Sequence, residues 1–239
     1  MKKHSFLRKI YYWYRERYFW GLKNKPVEQI FSDIYESNSW GGKPGEFYSG
    51  DGTYSPNIPQ YISKVEEIIK THNIKSILDI GCGDFRVMSQ VVNKVDVMYT
   101  GGDVVKGLID RNQQEFGNAK TRFMQLNAID DELPQADLVT IRQVLQHLSN
   151  EQILKIIPKL SKFKYVLITE HVLIGDDVVP NYDKIAGPHI RSRSLSGVFI
   201  DLPPFNMTNA KVVLEVREDE PIKGKLHPAV LRTYLIENK

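Results

Sequence analysis

The stretch ILDIGCGDFR, residues 77–86, has two glycines at the spacing of a phosphate-binding loop. A dinucleotide-binding loop carries the pattern Gly-x-Gly-x-x-Gly, but here Arg86 stands where the third glycine belongs. A pyrophosphate needs backbone N–H groups and no nearby carboxylate, yet Asp79 and Asp84 flank the two glycines. The chemistry of this loop therefore suits a cation better than a pyrophosphate.

A third carboxylate, Asp103, follows Gly83 by 20 residues and ends a second short apolar run. A carboxylate at this place accepts hydrogen bonds from the hydroxyls of a ribose. A ligand with a ribose, a positively charged amino acid part and no phosphate fits both features, and S-adenosylmethionine is such a ligand. NAD bound to an oxidoreductase is the alternative, but the missing glycine and the two neighbouring acids count against it.

Four segments, in order along the chain, resemble the motifs of the class I S-adenosylmethionine-dependent methyltransferases: LDIGCGDF, GGDVV, QLNA and ADLVTIRQVLQHLS. The resemblance covers about residues 57–239 and implies an enzyme with S-adenosylmethionine as its cofactor. The cofactor-binding residues that it implies are Asp79 near the ammonium group, Gly81, Cys82 and Gly83 beneath the cofactor, Asp103 and Val104 at the ribose, Asn127 and Ala128 beside the adenine, and Arg142 and Gln143 in the fourth motif.

Strand and helix patterns alternate from residue 60 onward, which is typical of an α/β protein with a parallel sheet. Apolar runs predict strands at 77–80, 97–103, 122–126, 138–141, 165–169, 212–216 and 233–236, with helices near 61–69, 85–94, 105–116 and 150–160. The resemblance implies a Rossmann-like, seven-stranded sheet of order 3-2-1-4-5-7-6. Its strand 7 is antiparallel, and helices cover both faces.

Three regions follow from composition. The pattern of residues 1–25, the leader, predicts a basic and aromatic amphipathic helix. This helix either packs on the body or a partner, or lies on an anionic membrane surface. Residues 26–59, the front segment, predict a loop rich in glycine and aromatic residues, either packed on the domain or folded over a ligand as a lid. Residues 60–239 predict the methyltransferase domain.

Charge and cysteine content limit the classes of function. The leader holds eight Lys and Arg against one Glu, while the remainder holds 24 basic and 28 acidic residues. A mildly acidic body argues against a nucleic-acid partner. Cys82 is the single cysteine, so no intramolecular disulfide can form, and a cytoplasmic location is expected, with the leader as a possible contact to the inner membrane surface.

The candidate catalytic residues are His147, His171 and Arg142. Methyl transfer to a hydroxyl requires alignment of the nucleophile and removal of its proton, for which a histidine is suited. His147 follows the fourth strand, and His171 is expected directly after the fifth. A structural role for each histidine is the alternative.

The candidate acceptor-binding residues are Trp40, Tyr48, His189, Arg191 and Arg193. Arginines suit planar anions, so these residues and Arg142 predict an anionic or phosphorylated acceptor, with a solvated basic loop as the alternative. Metal-dependent members of the superfamily place an acid where this chain has Arg142, so no metal is expected.

The acceptor is predicted to be a small molecule or sugar, methylated at oxygen. The front segment, with SWGG and SGDG, resembles those of bacterial methyltransferases that modify surface polysaccharides or their precursors. A noncatalytic binding module with the same fold is the remaining alternative.

Overall fold

The structure is a computed structural model that describes residues 17–238. Its α-helices are α1 (Val27–Glu36), α2 (Ile58–Thr71), α3 (Arg86–Val92), α4 (Lys106–Phe116) and α5 (Asn150–Leu160). Its strands are β1 (Ser76–Ile80), β2 (Met98–Asp103), β3 (Thr121–Gln125), β4 (Leu138–Arg142), β5 (Tyr165–Leu173), β6 (Ala210–Arg217), β7 (Glu220–Ile222), β8 (Lys225–His227) and β9 (Ala229–Glu237). Short 3-10 helices cover Arg17–Leu22, Asp51–Thr53, Leu145–His147 and Arg191–Ser194.

Seven of the strands form one sheet in the order β3-β2-β1-β4-β5-β9-β6. Strands β1 to β5 pair in parallel, whereas β9 is antiparallel to both of its neighbours, β5 and β6. This confirms the predicted Rossmann-like sheet, in which β9 takes the place of the antiparallel seventh strand. The remaining strands, β7 and β8, form a short separate hairpin that the sequence patterns did not predict.

Helices pack on both faces of the sheet because neighbouring strand residues point to opposite sides. In β1, Ile77 packs on the face covered by α2 and α3, while Leu78 packs on the face covered by α1 and α5. Helix α5 begins at its predicted position, where Ser149 and Gln152 form a capping box. The result is a three-layer α/β/α arrangement.

The carboxyl ends of β1, β2 and β4 lie side by side, since Ile80 pairs with both Gly102 and Ile141. The loops that follow these strands therefore converge at one edge of the sheet. This edge is where ligands bind in open α/β sheets.

The prediction of a loop for the front segment is wrong for residues 27–36, which form α1. Its buried residues recur at positions i, i+3, i+4, i+7 and i+8, as expected of a helix with one apolar face. These residues are Val27, Ile30, Phe31, Ile34 and Tyr35.

Two further predictions need correction. Residues 17–22 of the leader form a 3-10 helix rather than an α-helix, and residues 1–16 lie outside the described residues. Strand β5 continues to Leu173, so His171 lies within the strand and not after it. No helix among residues 17–238 combines the length and the apolar character needed to span a membrane.

Candidate active site

A cleft opens at the carboxyl ends of β1, β2 and β4. All ten residues predicted to bind the cofactor line this cleft: Asp79, Gly81, Cys82, Gly83, Asp103, Val104, Asn127, Ala128, Arg142 and Gln143. The sheet order brings them together from four separate stretches of sequence. The charged residues of the described lining are Asp79, Asp84, Asp103 and Arg142, so the cleft is suited to a positively charged ligand.

The glycine loop, residues 81–84, turns sharply beneath the cleft. Gly81 and Gly83 both have positive φ, +72° and +55°, which glycine adopts without steric cost. A Cβ on Gly81 would overlap with Val144 Cγ2, and a Cβ on Gly83 would lie 2.6 Å from Ser49 Oγ. Both glycines are therefore required by conformation and by close approach.

Asp79 lies buried at the base of the cleft. Its carboxylate accepts hydrogen bonds from the hydroxyls of Tyr99 (2.7 Å) and Thr140 (2.6 Å). Burial raises the pKa of Asp79 to about 6, although these two hydrogen bonds act in the opposite direction. A cation bound beside Asp79 would favour the ionised carboxylate, as the proposed ammonium contact requires.

Asp103 lies at the end of β2 and faces the glycine loop. One carboxylate oxygen accepts from the Gly83 N–H (3.2 Å) and the other from the Val105 N–H (3.1 Å). Burial raises the pKa of Asp103 above its usual value, while these backbone hydrogen bonds lower it. Each carboxylate oxygen has a second lone pair, so Asp103 can also accept hydrogen bonds from a ribose diol.

The β3 loop, residues 126–131, closes one side of the cleft. The Asn127 amide nitrogen donates to Glu28 (2.7 Å) in α1 and to Asp130 (3.1 Å), and its amide oxygen accepts from the Ile129 N–H. The Lys159 ammonium bridges the carbonyls of residues 128, 129 and 131. The Asn127 side chain therefore shapes this loop, and both Asn127 and Ala128 line the cleft.

The front segment covers the cleft with residues that the sequence analysis missed, apart from Trp40. Val27, Phe31 and Tyr35 of α1 line the cleft, as do Ser49 and Thr53. The helical spacing of the apolar residues in VEQIFSDIYE could have identified the three residues of α1. No such pattern marks Ser49 or Thr53.

A single serine joins the front segment to the glycine loop. Ser49 Oγ accepts from the Asp84 N–H (2.8 Å) and lies 2.8 Å from the Tyr35 hydroxyl. Trp40 is fixed further along by a hydrogen bond from its indole N–H to the Pro188 carbonyl (3.0 Å). The front segment is therefore docked over the cleft in this structure.

Arg142 ends β4 directly across from Gly81, because Ile141 pairs with Ile80. Its Nη2 donates to the Gly52 carbonyl (2.8 Å), and the guanidinium carbon lies 5.3 Å from the centre of the Tyr61 ring. Burial lowers the pKa of Arg142 from its usual value. Gln143 follows with a positive φ of +56°, which turns the chain toward His147.

His147 lines the cleft between aromatic residues. Its ring centre lies 5.1 Å from that of Trp40 and 6.4 Å from that of Phe31. Nδ1 donates to the Gly187 carbonyl (3.3 Å). Burial lowers the pKa of His147 to about 3, and the nearby Lys184 charge lowers it further, so the imidazole is neutral at physiological pH.

The other predicted catalytic histidine, His171, is not among the residues that line the cleft. It is buried in β5, and its Nε2 donates to the Glu218 carbonyl (2.8 Å). The adjacent Glu170 points to the opposite face and accepts from the N–H groups of Leu145 (2.8 Å) and Gln146 (3.2 Å). Glu170 thereby supports the turn that carries His147, and burial raises its pKa to about 8.

The predicted basic acceptor residues line a second pocket, formed by residues between β5 and β6 together with Phe19. His189 and Arg193 lie there, while the buried Arg191 donates to the carbonyls of Leu148 (2.7 Å) and Tyr182. These three residues therefore line a pocket other than the cleft, and the Arg191 guanidinium is hydrogen-bonded to backbone carbonyls.

Tyr48 is not among the residues that line the cleft. It stacks on Tyr54 with 5.3 Å between ring centres, and its hydroxyl donates to Asp51 (2.5 Å). No group of three or more potential metal ligands occurs among residues 17–238.

A family model for a methyltransferase domain matches residues 77–163, which contain the glycine loop, Asp103, Asn127 and Arg142. This match and the order of the sheet support a class I S-adenosylmethionine-dependent methyltransferase. The matched residues run from β1 to the end of α5 and carry most of the cleft. No curated protein sequence matches the chain.

Solved methyltransferase structures share the fold. The N-methyltransferase NodS from Bradyrhizobium japonicum WM9, in complex with S-adenosyl-L-homocysteine, has a TM-score of 0.56 at 11% identity over 87% of this chain and 98% of its own. Magnesium protoporphyrin IX methyltransferase from Synechocystis PCC 6803, with S-adenosylhomocysteine bound, has a TM-score of 0.55 at 12% identity over 89% of this chain and 100% of its own. The N-terminal domain of EvdMO1, also with S-adenosylhomocysteine bound, has a TM-score of 0.54 at 11% identity over 80% of this chain and 85% of its own.

Proposed function

We propose that this methyltransferase binds S-adenosylmethionine in the cleft and transfers the methyl group to an oxygen of a small molecule or sugar. The observation that carries this proposal is the joint placement of the glycine loop, Asp79 and Asp103 around one cleft whose lining has more carboxylates than cations. A nicotinamide cofactor, with its negatively charged pyrophosphate, would meet those carboxylates at the glycine loop.

The cleft residues fit the parts of the cofactor one by one. Asp103 would accept hydrogen bonds from the ribose hydroxyls, and Asp79 would balance the ammonium group. The backbone at Gly81 and Gly83 would pass beneath the cofactor, while Ala128 would flank the adenine. When bound, S-adenosylmethionine supplies a methyl group on positively charged sulfur, which an in-line nucleophile displaces.

His147 is proposed to orient the acceptor hydroxyl. Its Nδ1 proton is held by the Gly187 carbonyl, so the lone pair of the neutral ring lies on Nε2. Gln146 Nε2 lies 3.5 Å from this atom, so an acceptor hydroxyl would donate to it in place of Gln146, while the low pKa of the ring makes it a weak base. The aromatic residues around His147, among them Trp40 and Phe31, make this part of the cleft apolar.

The acceptor is proposed to be a surface-polysaccharide precursor, a class that the front segment's resemblance supports. The similar structures are named for different reactions, an N-methyltransferase and a magnesium protoporphyrin IX methyltransferase, so the shared fold alone does not select an acceptor.

Isothermal titration with S-adenosylmethionine, S-adenosylhomocysteine and NAD tests the proposed cofactor. We expect micromolar binding of the first two and a loss of about tenfold or more in the Asp103→Ala variant, because hydrogen bonds to a charged group are removed. The matched control is Asp110→Ala, an exposed carboxylate in α4 that pairs with Lys106. Binding of NAD instead would support an oxidoreductase, and no binding of any ligand would support a noncatalytic module.

We also propose that the leader contacts an anionic membrane surface from the cytoplasmic side. Trp20 is 48% exposed, and Lys23 beside it is exposed as well, a combination typical of interfacial segments. Deletion of residues 1–25 is expected to abolish cosedimentation with vesicles that contain phosphatidylglycerol, while neutral phosphatidylcholine vesicles bind neither form. Equal binding of the truncated and full chains to the anionic vesicles would contradict this proposal.

A further inference from the structure

Arg142 carries a positive charge on which the carboxylates of Asp79, Glu170 and Glu218 act only from beyond ion-pair distance. Among residues 17–238, no carboxylate oxygen lies within the 4.0 Å ion-pair distance of its guanidinium, although Arg86, Arg111, Arg217 and Arg232 each have such a carboxylate. Charged groups in protein interiors are normally paired, because leaving water is costly for an ion. An enclosed cation without a carboxylate is therefore an exception that calls for an explanation.

The hydrogen bonding of Arg142 is incomplete as well. A guanidinium has five N–H donors and no acceptor, and here Nη2 donates to the Gly52 carbonyl. Nε is buried, and no acceptor for it occurs in the described part of the chain. The Tyr61 ring contributes a cation–π contact with the guanidinium carbon 5.3 Å from the ring centre, but an aromatic face does not cancel a full charge.

The position of Arg142 indicates what its missing partner is. Arg142 lines the cleft and lies across the sheet from Gly81, at the end where Asp79 is expected to meet the amino acid part of the cofactor. A guanidinium retains its charge at any physiological pH and matches carboxylate and phosphate groups in shape. A sugar hydroxyl or an amide could accept a hydrogen bond there but would leave the charge unbalanced.

We propose that Arg142 is the oxyanion subsite of this cleft and binds a carboxylate or phosphate group through the donors that the protein leaves unpartnered. The inference rests on the proposed function for its choice of ligands. Two sources supply such a group: the carboxylate of the cofactor's methionine part, and an anionic group on the acceptor. In either case Arg142 is a binding residue that orients one substrate of the transfer.

The Arg142→Met variant tests this subsite with three probes: S-adenosylhomocysteine, 5′-methylthioadenosine and inorganic phosphate. 5′-Methylthioadenosine has the same adenosine and sulfur but no carboxylate. Isothermal titration measures each nucleoside ligand alone, and phosphate both with and without saturating S-adenosylhomocysteine. Arg142→Lys keeps the charge and serves as a second variant in case Arg142→Met fails to fold. Arg122→Met is the matched control, because Arg122 lies exposed on the edge strand β3.

If the cofactor supplies the oxyanion, Arg142→Met lowers the affinity for S-adenosylhomocysteine about tenfold to a hundredfold and leaves the affinity for 5′-methylthioadenosine unchanged. If the acceptor supplies it, the variant leaves both nucleoside ligands unchanged and abolishes phosphate binding to the S-adenosylhomocysteine complex. Both results support the subsite. In either case the affinity of Arg142→Lys should lie between those of the unaltered chain and Arg142→Met.

The proposal is overturned if Arg142→Met and Arg122→Met give the same affinities as the unaltered chain for all three probes. If the unaltered chain binds neither nucleoside but binds phosphate through Arg142, the proposed cofactor fails while the oxyanion subsite stands. The two inferences are thereby tested separately.

Discussion

Two regions build the cleft in different ways. The sheet edge from β1 to the β3 loop, residues 76–131, contributes polar groups: the Asp79 and Asp103 carboxylates and the backbone of the glycine loop. The front segment contributes mainly apolar and aromatic side chains, such as Val27 and Phe31. The sheet edge is therefore suited to recognising a ligand, and the front segment to enclosing it.

Two hydrogen bonds link these regions within the described residues, Ser49 to the Asp84 N–H and Glu28 to Asn127, and the Gly52 carbonyl accepts from Arg142 at the end of β4. The family match begins at residue 77, so α1 and the rest of the front segment lie outside it. The polar groups suited to recognition are thus concentrated at the sheet edge, while the front segment packs over it through the apolar face of α1 and few hydrogen bonds. Substitutions in the two regions should accordingly have effects of different size.

The largest effect is expected from Gly81→Ala at the sheet edge. The substitution forces alanine into a positive φ of +72° and drives its Cβ into Val144. We expect the free energy of unfolding to fall by about 2–4 kcal/mol, since strain and overpacking add. Affinity for S-adenosylhomocysteine should fall at least about tenfold, because the backbone beneath the cofactor shifts.

Gly45→Ala is the matched control for this prediction. Gly45 has a similar φ of +80°, but no atom lies within 4 Å of the added Cβ. Backbone strain alone should cost about 1 kcal/mol, with ligand affinity unchanged. Denaturant unfolding and isothermal titration measure both quantities, and equal losses of affinity in the two variants would remove the distinction between the regions.

The pH dependence of S-adenosylhomocysteine binding should report the ionisation of Asp79. With a pKa of about 6, its carboxyl is mostly protonated at pH 5 and mostly ionised at pH 7. Only the ionised form attracts an ammonium group, so S-adenosylhomocysteine should bind about tenfold more tightly at pH 7 than at pH 5. Titrations across this range measure the effect.

5′-Methylthioadenosine separates Asp79 from the other acids of the cleft, since this ligand has no ammonium group. Burial also raises the pKa values of Asp84 and Asp103, and these groups affect both ligands. The difference between the two pH profiles therefore reports Asp79, and it should vanish in Asp79→Asn. Identical profiles for the two ligands in the unaltered chain would place the ammonium group elsewhere.

The sequence predicted the sheet edge well and the covering region poorly, for a physical reason. Around Asp79 and Asp103, short apolar strands, glycines and acids follow one another at fixed intervals, so local spacing already determines which groups meet. Trp40 was expected to bind a ligand, but its place depends on a hydrogen bond to Pro188, which is 148 residues away. Contacts of that separation leave no local pattern.

The same argument explains the outcome for the histidines and arginines. His147 was correctly expected to line the cleft, since it follows β4 closely. The length of β5 decides the burial of His171, and the end of an apolar run does not fix that length. Arg191 was expected to face an anion, yet it binds backbone carbonyls that no sequence pattern identifies.

A smaller effect is expected where the front segment is fastened to the glycine loop. Ser49→Ala removes the acceptor for the Asp84 N–H and the partner of the Tyr35 hydroxyl. Since a few hydrogen bonds hold the closure, we expect affinity for S-adenosylhomocysteine to fall about threefold to tenfold. Cleavage by a glutamate-specific protease after the exposed Glu46 should become faster.

Ser39→Ala controls for the loss of a hydroxyl in the same segment, because Ser39 hydrogen-bonds with its neighbour Ser37 at an exposed site. This variant should match the unaltered chain in both measurements. If Ser49→Ala also matches it, the front segment is held by its apolar contacts alone.

The smallest effect is expected at the contact between α1 and the β3 loop. Glu28 accepts a hydrogen bond from the Asn127 amide at 2.7 Å. Asn127 retains Asp130 as a second acceptor, so loss of Glu28 leaves its amide nitrogen partnered. We expect Glu28→Ala to lower the affinity for S-adenosylhomocysteine about threefold, because only one hydrogen bond is lost and its donor keeps another acceptor.

Glu28→Gln keeps a carbonyl oxygen at the same position and should restore most of the affinity, whereas Glu36→Ala, at the exposed end of α1, should change nothing. If Glu28→Gln is as weak as Glu28→Ala, the negative charge of Glu28 is what matters. The covering helix would then contribute to the electrostatics of recognition, and the division between a recognising edge and an enclosing segment would no longer hold at this contact.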